Sequence, residues 1–423
     1  MKVLVVGGGG REHAIVKKLK ESGEITELYC APGNGGIAAD AACVPIKATQ
    51  VEALAEYAAK ERMDYVVVAP DDPLCMGLVD LLEERGIPAF GPSRAAARLE
   101  GSKVFSKELM RHYRIPTAGY ETFDDVEQAL AYVHAAPCPV VVKADGLALG
   151  KGVIICETNA EAEAAVVEMM RGGKFGASGR RVVVEEFLRG PEVSVLCFTD
   201  GVTIKPMVSS MDHKRALDGD QGLNTGGMGV IAPNPYYGAK EAELCMRTIF
   251  LPTLAAMRME GCPFCGCLYF GLMLTAQGPK VIEYNCRFGD PETQAVLPLL
   301  QSDLFTVMRA TTEGTLAQTE VAFSSGASCC VVLASGGYPQ AYEVGKKITG
   351  LADAQGQACV YHAGTALGEG GALFTAGGRV LGVTATAETL PQAIERAYAA
   401  ADLIRFDGLQ RREDIGASAL KAL

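Results

Sequence analysis

A carboxylate, an amide and a guanidinium group occupy every second position of one otherwise apolar segment. They belong to Glu283, Asn285 and Arg287. Because successive side chains of a β-strand point to opposite faces, this spacing predicts that all three lie on one face of a strand. Carboxylate and amide oxygens suit a hard cation such as Mg2+, which usually takes one or two carboxylates together with substrate phosphates. The pattern therefore predicts a magnesium site at Glu283 and Asn285, with Arg287 beside it to bind an anion.

The strand that carries these residues is predicted to be the second half of a hairpin. An apolar run at 268–275 precedes it, and residues 276–279 supply a turn with Gly and Pro. A neighbouring apolar strand would hold the polar face rigidly. A solvated face on an edge strand is the alternative for a lone Glu-x-Asn pattern, and the hairpin favours the functional interpretation.

Length and composition indicate a globular chain of several domains. The chain has 423 residues, and roughly two to four domains are expected for that length. No apolar run approaches the ~20 residues of a membrane-spanning helix, and Met1–Val6 is predicted to be a strand and not a signal peptide. The formal net charge of -11 argues against a nucleic-acid-binding protein, which needs a basic surface. We therefore expect a cytoplasmic protein that binds neither nucleic acid nor a membrane.

The first hundred residues alternate strand and helix, which predicts a parallel, doubly wound sheet. Strands are expected at 2–6, 26–30, 65–69 and 87–90, and helices at 11–22, 50–62, 75–85 and 93–99. Glycine-rich or polar turns follow three of the strands, at Gly7–Gly10, Gly33–Gly36 and Ala69–Pro73. Turns at the carboxyl ends of parallel strands converge at one edge, where such sheets bind ligands.

The first of these turns opens a helix, so its backbone amides could hold a phosphate. A dinucleotide site is disfavoured, because Glu12 or His13 stands where the G-x-G-x-x-G pattern needs a small third residue. The second strand also ends without an acid for a ribose. A small sugar phosphate therefore fits these turns better than NAD, and tight turns without a ligand remain the alternative.

Residues 101–192 carry the features of a nucleotide site. A buried strand ending at Lys143 runs into a glycine-rich loop, which could close over phosphates with its amides pointing inward. The loop contains Gly146, Gly150, Lys151 and Gly152. A break in the next strand pair leaves the backbone at 186–188 free to pair with an adenine, and Glu192 is placed to accept hydrogen bonds from a ribose. The pattern predicts a lid over a triphosphate, and a plain hairpin is the alternative.

Two later regions are less informative. Residues 207–229 form a long polar segment with little periodicity, and loops of that length are usually functional. Within it, Lys214 and Arg215 could bind anions or face water. From about residue 325, strands at 329–334, 358–362 and 379–385 and a helix at 390–404 predict an α+β unit. It shows no obvious catalytic group and is interpreted as a structural cap on the first domain.

Together these motifs resemble those of the ATP-grasp ligases, and among them the family of phosphoribosylamine–glycine ligases of purine biosynthesis. The resemblance rests on Lys103, Lys143 with its glycine loop, Glu185–Leu188, Glu192, Asp212–Arg215, Asn224–Gly229 and Glu283–Glu292. It covers essentially the whole chain. It implies an α/β and α+β multidomain fold with a doubly wound N-terminal domain at 1–100, an ATP-grasp domain at 101–325 with a mobile lid at about 120–190, and a C-terminal α+β domain at 326–423 that packs back on the first.

The resemblance also implies roles for particular residues. The ATP site would comprise Lys103, Lys143, Gly146, Gly150, Lys151, Gly152, Glu185, Glu186, Phe187, Leu188 and Glu192. The site for phosphoribosylamine and glycine would comprise Gly8, Gly9, Gly10, Arg11, Glu12, Gly33, Asn34, Gly35, Gly36, Asp71, Asp212, Lys214, Arg287, Gly289 and Asp290. Glu283 and Asn285 would bind one or two Mg2+ or Mn2+ ions. Lys143, Asp212 and Arg287 would act in catalysis.

The chain departs from the common ATP-grasp or family pattern at three places. The turn that usually reads Gly-Pro-Glu ends in Asp71 here, and Met211 stands where Gln commonly precedes Asp-His-Lys-Arg. Leu272 and Met273 occupy the part of the hairpin where many ATP-grasp enzymes add an acidic metal ligand. The family shares this last departure, so phosphate and water would complete the metal's coordination.

The implied reaction joins glycine to 5-phosphoribosylamine with ATP, through glycyl phosphate, on a monomeric enzyme. Such a reaction needs no enzyme nucleophile, which fits the lack of a convincing Ser-His-Asp or Cys-His set in the sequence. Alignment and charge neutralisation would supply the catalysis. Two alternatives remain open, namely another ATP-grasp carboxylate–amine ligase or carboxylase of the purine pathway, and a nucleotide-binding relative without turnover.

Overall fold

The computed structural model describes residues 1–147, 152–172 and 176–422, so Gly150 and Lys151 of the predicted lid loop lie outside the described residues. The chain begins with a parallel sheet in the order β3-β2-β1-β4-β5. Its elements are β1 (Lys2–Gly7), α1 (Gly10–Leu19), β2 (Glu27–Pro32), β3 (Ala42–Cys43), α2 (Val51–Lys60), β4 (Tyr65–Val68), α3 (Asp71–Met76), α4 (Leu78–Glu83), β5 (Ala89–Phe90) and α5 (Arg94–Gly101). Strands β1 and β4 are buried along almost their whole length, as expected of strands covered on both faces. The predicted doubly wound sheet is confirmed.

The helix expected at 75–85 differs from the prediction. It begins earlier, at Asp71, and Gly77 divides it into α3 and α4. Gly77 has a φ of +89°, a left-handed conformation that glycine adopts at little cost. As a result, Asp71 lies in a first helical turn at the carboxyl end of β4.

The next part of the chain forms an antiparallel sheet in the order β6-β9-β7-β8. Its elements, with the helix that precedes them, are α6 (Lys103–His112), β6 (Tyr120–Phe123), α7 (Val126–Ala135), β7 (Val140–Ala144), β8 (Val153–Cys156), α8 (Asn159–Met170) and β9 (Val182–Glu186). Helices α7 and α8 cover this sheet and share with it an apolar core of its own. We call the segment from β6 to β9 the lid.

A second antiparallel sheet faces the lid, in the order β11-β10-β16-β17. The elements of this part are β10 (Glu192–Asp200), β11 (Ile204–Pro206), β12 (Met211–Asp212), β13 (Arg215–Leu217), β14 (Gln221–Asn224), β15 (Gly229–Ala232), α9 (Ala239–Cys245), α10 (Leu251–Met259), β16 (Cys265–Thr275), β17 (Gly278–Asn285), α11 (Glu292–Val296) and α12 (Leu304–Glu313). A π-helical turn, Met246–Phe250, links α9 to α10. The predicted hairpin is confirmed, because Thr275 pairs with Gly278 across a tight turn.

The last part of the chain completes a sheet in the order β12-β15-β18-β22-β19, with β23 paired to β18. Its elements are β18 (Ala327–Ser335), α13 (Leu351–Gln355), β19 (Cys359–His362), β20 (Thr365–Leu367), β21 (Leu373–Thr375), β22 (Arg379–Ala387), α14 (Leu390–Ala401), β23 (Leu409–Gln410) and α15 (Ala417–Leu420). The polar segment at 207–229 therefore contains β12, β13, β14 and the first residue of β15, and β12 and β15 join this sheet. Strands β13 and β14 pair with each other, whereas β15 pairs with β18 far away in sequence, which no local periodicity reveals.

One buried apolar cluster unites these parts, except for the lid. It includes Val5 of the first sheet, Phe198 of the second sheet and Cys330 of the C-terminal sheet, together with Phe288 after β17 and Phe305 of α12. None of the helices in the described part of the chain has the length and apolar character that crossing a bilayer requires.

Asn34 joins the first sheet to the last one. Its side-chain amide donates hydrogen bonds to the carbonyl oxygens of Gly8 (3.0 Å) and His362 (2.7 Å). Its side-chain oxygen accepts the backbone N–H groups of Gly36 and Ile37, both at 2.9 Å. The C-terminal unit thus packs back on the N-terminal glycine turns, as the resemblance implied.

The close approach at Gly36 yields a test of this interface. A methyl group at Gly36 would overlap the imidazole ring of His362, so Gly36→Ala should lower the free energy of unfolding by about 1–3 kcal/mol, as overpacking does. Gly23→Ala is the matched control, because open space surrounds Gly23. Thermal unfolding of both variants would measure the difference. Equal melting temperatures for the two would contradict the packing described here.

Candidate active site

A cleft with a volume of about 830 Å3 lies between the lid and the second sheet, and the C-terminal unit closes one end of it. Many of the residues predicted for the site line it. They are Arg11, Asp71, Lys103, Lys143, Gly146, Gly152, Glu185, Glu186, Phe187, Leu188, Glu192, Asp212, Lys214, Glu283, Asn285, Arg287 and Asp290. Other described residues that were predicted for substrate binding do not line the cleft. They are Gly8, Gly9, Gly10, Glu12, Gly33, Asn34, Gly35, Gly36 and Gly289. The far-separated motifs therefore meet in one place.

Glu283 is the carboxylate at the centre of the cleft. It lies opposite Gly271 on the neighbouring strand β16, and no hydrogen bond or ion pair engages it within the described residues. Burial disfavours its charged form, but nearby positive charges outweigh burial and lower the pKa of Glu283. These charges belong to Lys214, Lys143, Lys103 and Arg287. The carboxylate is therefore ionised and available at neutral pH.

Asn285 and Arg287 share a hydrogen-bonded cluster beside Glu283. Arg287 donates through Nη2 to Oδ1 of Asn285 (3.1 Å) and forms an ion pair with Glu100 (3.2 Å). Glu100 also accepts the backbone N–H of Cys286 at 2.6 Å. Glu100 was not predicted, and it anchors the guanidinium from behind, while the buried Nε of Arg287 has no partner among the described residues.

The donor set at Glu283 and Asn285 fits a hard divalent cation. It offers an ionised carboxylate without a protein partner and an amide oxygen that accepts only one hydrogen bond among the described residues. Mg2+ prefers such oxygen ligands and leaves its other positions to phosphates and water. The two side chains lie on the same face of β17, as their spacing predicts.

Lys103 lies at the start of α6, which two side chains cap. Ser102 accepts the N–H of Phe105 (3.1 Å), and Asp145 accepts the N–H of Val104 (3.2 Å). Both interactions satisfy amides that a helix start leaves unpaired. The ammonium group of Lys103 then reaches the carbonyl oxygen of Gly146 in the lid (2.8 Å), which places it at the cleft.

Lys107 is a buried lysine that the sequence analysis missed. Its Nζ lies 2.9 Å from Oε2 of Glu185, and Nζ of Lys143 lies 3.0 Å from Oε1 of the same carboxylate. Lys107 and Glu185 are only 2% and 4% exposed, so both charges are largely shielded from bulk solvent. Its position four residues after Lys103 places it on the same helix face, and that spacing was the available signal. Glu185 thus acts within the protein as the counter-charge to two lysines.

The opposite wall of the cleft holds two carboxylates, the buried Glu292 and the half-buried Asp212. Burial, and secondly the charge of Glu292, raise the pKa of Asp212 well above its usual value. Oδ1 of Asp212 is buried without a hydrogen-bond partner among the described residues. Lys214 lies nearby and pairs with Glu192 at 3.1 Å. The carboxyl group of Asp212 therefore retains a proton more readily than that of an exposed aspartate.

An apolar corner lies between the lid and the second sheet. Leu188, Met273 and Ile282 contact one another there, together with Ala118, and the first three line the cleft. The backbone N–H of Leu188 has no acceptor among the described residues. A flat heterocycle with a hydrogen-bonding edge would fit this corner.

The C-terminal unit contributes further lining residues, among them Arg379 and Tyr338, although no catalytic group was expected there. Arg379 donates through Nη1 to the carbonyl oxygens of Gly226 and Asp290, both at 2.7 Å. Tyr338 accepts the N–H of Gly226 at 3.1 Å. No local signal in the sequence marks either residue, because the sheet topology alone brings them to the cleft.

The family models that match this chain cover nearly all of it. Residues 1–100 match the phosphoribosylglycinamide synthetase N domain, residues 101–293 match its ATP-grasp (A) domain, and residues 328–418 match its C domain. A phosphoribosylamine–glycine ligase from Caldanaerobacter subterraneus subsp. tengcongensis is 46% identical over 417 residues, which are 99% of this chain and 100% of that protein.

Solved structures give the same result. A phosphoribosylamine–glycine ligase from Thermotoga maritima superposes with a TM-score of 0.85 and 35% identity, over 98% of this chain and 100% of that one. A biotin carboxylase domain of 2-oxoglutarate carboxylase from Hydrogenobacter thermophilus reaches a TM-score of 0.73 at 18% identity, over 97% of this chain and 91% of that one. The second similarity concerns the fold alone.

The buried position of Lys107 predicts a pH-dependent stability. Burial lowers the pKa of Lys107 to about 8, from 10.5 for an exposed lysine. Between these values the unfolded chain binds more protons than the folded one, so this group makes the free energy of unfolding rise with pH. Lys107→Met should remove that contribution. The free energy of unfolding of the wild type, minus that of the variant, should therefore rise from about pH 8 to about pH 10.

Unfolding measured across this pH range would test the prediction. Lys60→Met is the control, because Lys60 is exposed on α2 and its loss should leave the pH profile parallel to that of the wild type. A constant difference between wild type and Lys107→Met would contradict the prediction.

Proposed function

Because the chain belongs to the phosphoribosylglycinamide synthetase family, we propose that its cleft is the site at which it ligates glycine to 5-phosphoribosylamine with ATP. The chain is an ATP-dependent carbon–nitrogen ligase of purine biosynthesis, and the products are glycinamide ribonucleotide, ADP and phosphate. The observation that carries the site assignment is the convergence of Lys103, Lys143 and Glu283, which are far apart in sequence.

The adenine of ATP would occupy the apolar corner at Leu188, Met273 and Ile282. The free N–H of Leu188 supports this placement, because it could donate to a ring nitrogen. Glu192 would accept hydrogen bonds from the ribose, since Lys214 engages only one of its oxygens. The apolar walls would exclude water from the base, and the backbone would read its edge.

The triphosphate would lie along the lysines. Lys103 and Lys143 reach the cleft from the first helix of the ATP-grasp part and from the lid strand β7. Because phosphoryl transfer involves little covalent chemistry by the protein, such charges lower the barrier mainly by neutralising the transferred group. Gly146 and Gly152 of the glycine loop would cover the phosphates. Gly150 and Lys151 were predicted to do the same, and they lie outside the described residues.

Glu283 and Asn285 would hold one or two Mg2+ or Mn2+ ions, which would neutralise phosphate oxygens and orient the γ-phosphate. The protein's own part is to keep Glu283 ionised. The surrounding lysines and Arg287 do so by lowering its pKa.

Glycine would bind between Arg287 and the carboxylate pair. The carboxylate of glycine would lie against Arg287, in position to attack the γ-phosphate, which would form glycyl phosphate and release ADP. The amine of phosphoribosylamine would then attack the acyl carbonyl and expel phosphate. Asp212, with Glu292 beside it, would take up the proton that this amine loses, because the raised pKa of Asp212 makes its carboxylate a stronger base than an exposed one.

We further propose domain limits of 1–100, 101–325 and 326–423, with the lid at about 120–190. The separate apolar core of the lid supports its independent movement. We also propose that the chain acts as a monomer in the cytoplasm.

Release of ADP, with each co-substrate omitted in turn, tests the function. ADP should appear at the full rate only when glycine and phosphoribosylamine are both present. Bicarbonate in place of glycine should give no product, which separates this reaction from that of a carboxylase. ADP release that needs neither co-substrate, or that follows bicarbonate, would refute the proposal.

Replacement of the metal-binding pair tests the mechanism. Glu283→Ala and Asn285→Ala should each lower magnesium-dependent turnover, by on the order of 100-fold for the carboxylate, while the circular dichroism spectrum stays unchanged. Glu243→Ala, on an exposed position of α9, is the matched control and should keep full activity. Full activity in both site variants would rule out the metal assignment.

A further inference from the structure

We propose that Arg379, together with Tyr338, binds the phosphate group of 5-phosphoribosylamine, so that the C-terminal unit supplies part of the acceptor site. This inference rests on the proposed function, because it names residues that hold the phosphate monoester of one substrate of that reaction.

The glycine turns of the first sheet offer few free donors for a phosphate. Several of their backbone amides, and that of Arg11 directly after the first turn, already have acceptors inside the protein. The N–H of Gly9 donates to Glu12, that of Arg11 to Asp290, that of Gly33 to Gly7, that of Gly35 to Thr365 and that of Gly36 to Asn34. In addition, the carboxylate of Glu12 lies at the start of α1, where it occupies the position that favours an anion. A phosphate bound near these turns would therefore gain from donors on side chains.

Two other arginines at this part of the cleft are already engaged. Arg11 donates through Nε to Glu12 at 2.6 Å and through Nη1 to the carbonyl oxygen of Phe288 at 3.2 Å. Arg287 is bound by Glu100 and Asn285. The charges of both guanidinium groups are thus partly neutralised by protein carboxylates.

Arg379 also has a carboxylate neighbour, since its Nη1 lies 3.4 Å from Oδ1 of Asp290. It differs because this one nitrogen makes all of its hydrogen bonds in the described structure. Nη1 donates to the carbonyl oxygens of Gly226 and Asp290, while Nε and Nη2 have no acceptor among the described residues. The side chain is 21% exposed and lines the cleft. A guanidinium group anchored at one nitrogen and open at the other two presents the planar fork that binds phosphate oxygens in pairs.

Tyr338 adds a donor next to this fork. Its hydroxyl oxygen accepts the N–H of Gly226 at 3.1 Å, so its own proton remains available to a ligand. Because Arg379 and Tyr338 both contact Gly226, their free donors lie close together at the wall of the cleft.

The position of Arg379 and Tyr338 favours the phosphate of phosphoribosylamine over the phosphates of ATP. Asp290 is contacted by the backbone N–H of Arg11 from the first glycine turn and by Arg379 from the C-terminal unit. Arg379 therefore borders the turns predicted for the phosphoribosyl group. Lys103 and Lys143, by contrast, surround Glu283 at the ATP side of the cleft.

Binding of ribose 5-phosphate to the full chain tests the inference, with ribose as the phosphate-free probe. By calorimetry, Arg379→Met should weaken ribose 5-phosphate binding at least tenfold, and Arg379→Lys should weaken it less, because the charge remains and the fork is lost. In steady-state kinetics, the KM for phosphoribosylamine should rise at least tenfold in Arg379→Met, while the KM values for ATP and glycine stay within twofold.

Arg396→Met is the matched control, because Arg396 lies in the same C-terminal unit and bonds only to the carbonyl oxygen of Thr386 in the described structure. It should bind ribose 5-phosphate as the wild type does. Tyr338→Phe removes one donor and should weaken binding about threefold. If Arg379→Met does not fold, Tyr338→Phe and Arg379→Lys decide the question.

Several results would overturn the inference. The first is unchanged ribose 5-phosphate binding in the folded Arg379 variants or in Tyr338→Phe, and the second is an equal loss of this binding in Arg396→Met. The others are a parallel rise of all three KM values, or a wild type that binds ribose as well as ribose 5-phosphate. The proposed function fails separately, if the wild type releases no ADP in response to glycine and phosphoribosylamine.

Discussion

The site depends on buried positive charges that protein carboxylates balance from behind. Removing an ion from water costs several kcal/mol unless a partner compensates it, and Lys107, Lys143 and Arg287 all lie in or against the core. Glu185 bridges the two lysines, and Glu100 holds the arginine. Because these carboxylates lie behind the cations, Glu283 faces the cleft without a partner among the residues that the structure describes. This division between structural and functional carboxylates leaves the cleft able to receive a metal and a polyphosphate.

The C-terminal unit is part of the active-site wall, and the cap interpretation describes only its packing. Its sheet takes up β12, which carries Asp212, and its strand β22 begins at Arg379. Arg379 ties the Gly226 turn to the Asp290 turn, so two motifs of the ATP-grasp part are held in register by a residue from another unit. A shared apolar core beneath these turns makes this arrangement rigid.

The lid is attached differently. Its core does not merge with the core of the other parts, and the small apolar group at Leu188, Met273 and Ile282 forms the contact at the adenine corner. Lys143 crosses this boundary, because it sits on the lid strand β7 and donates to the carbonyl oxygen of Ile282. Movement of the lid would therefore change the position of one phosphate-binding lysine relative to Glu283.

The sequence by itself determined the local elements and the residue types of the site. Periods of two and 3.6 residues along the chain indicate the alternation at Glu283, Asn285 and Arg287 and the βα repeats before residue 100. The Gly and Pro residues after Thr275 likewise indicate the hairpin turn. Lys107 was within reach of the same logic, since it lies one helical turn after Lys103. Tertiary structure alone decided the rest. Contacts between distant segments produce three features of the site: β15 pairs with β18, Arg379 approaches Asp290, and Glu100 and Glu185 act as counter-charges. Such contacts depend on chain topology and desolvation, which local spacing does not encode.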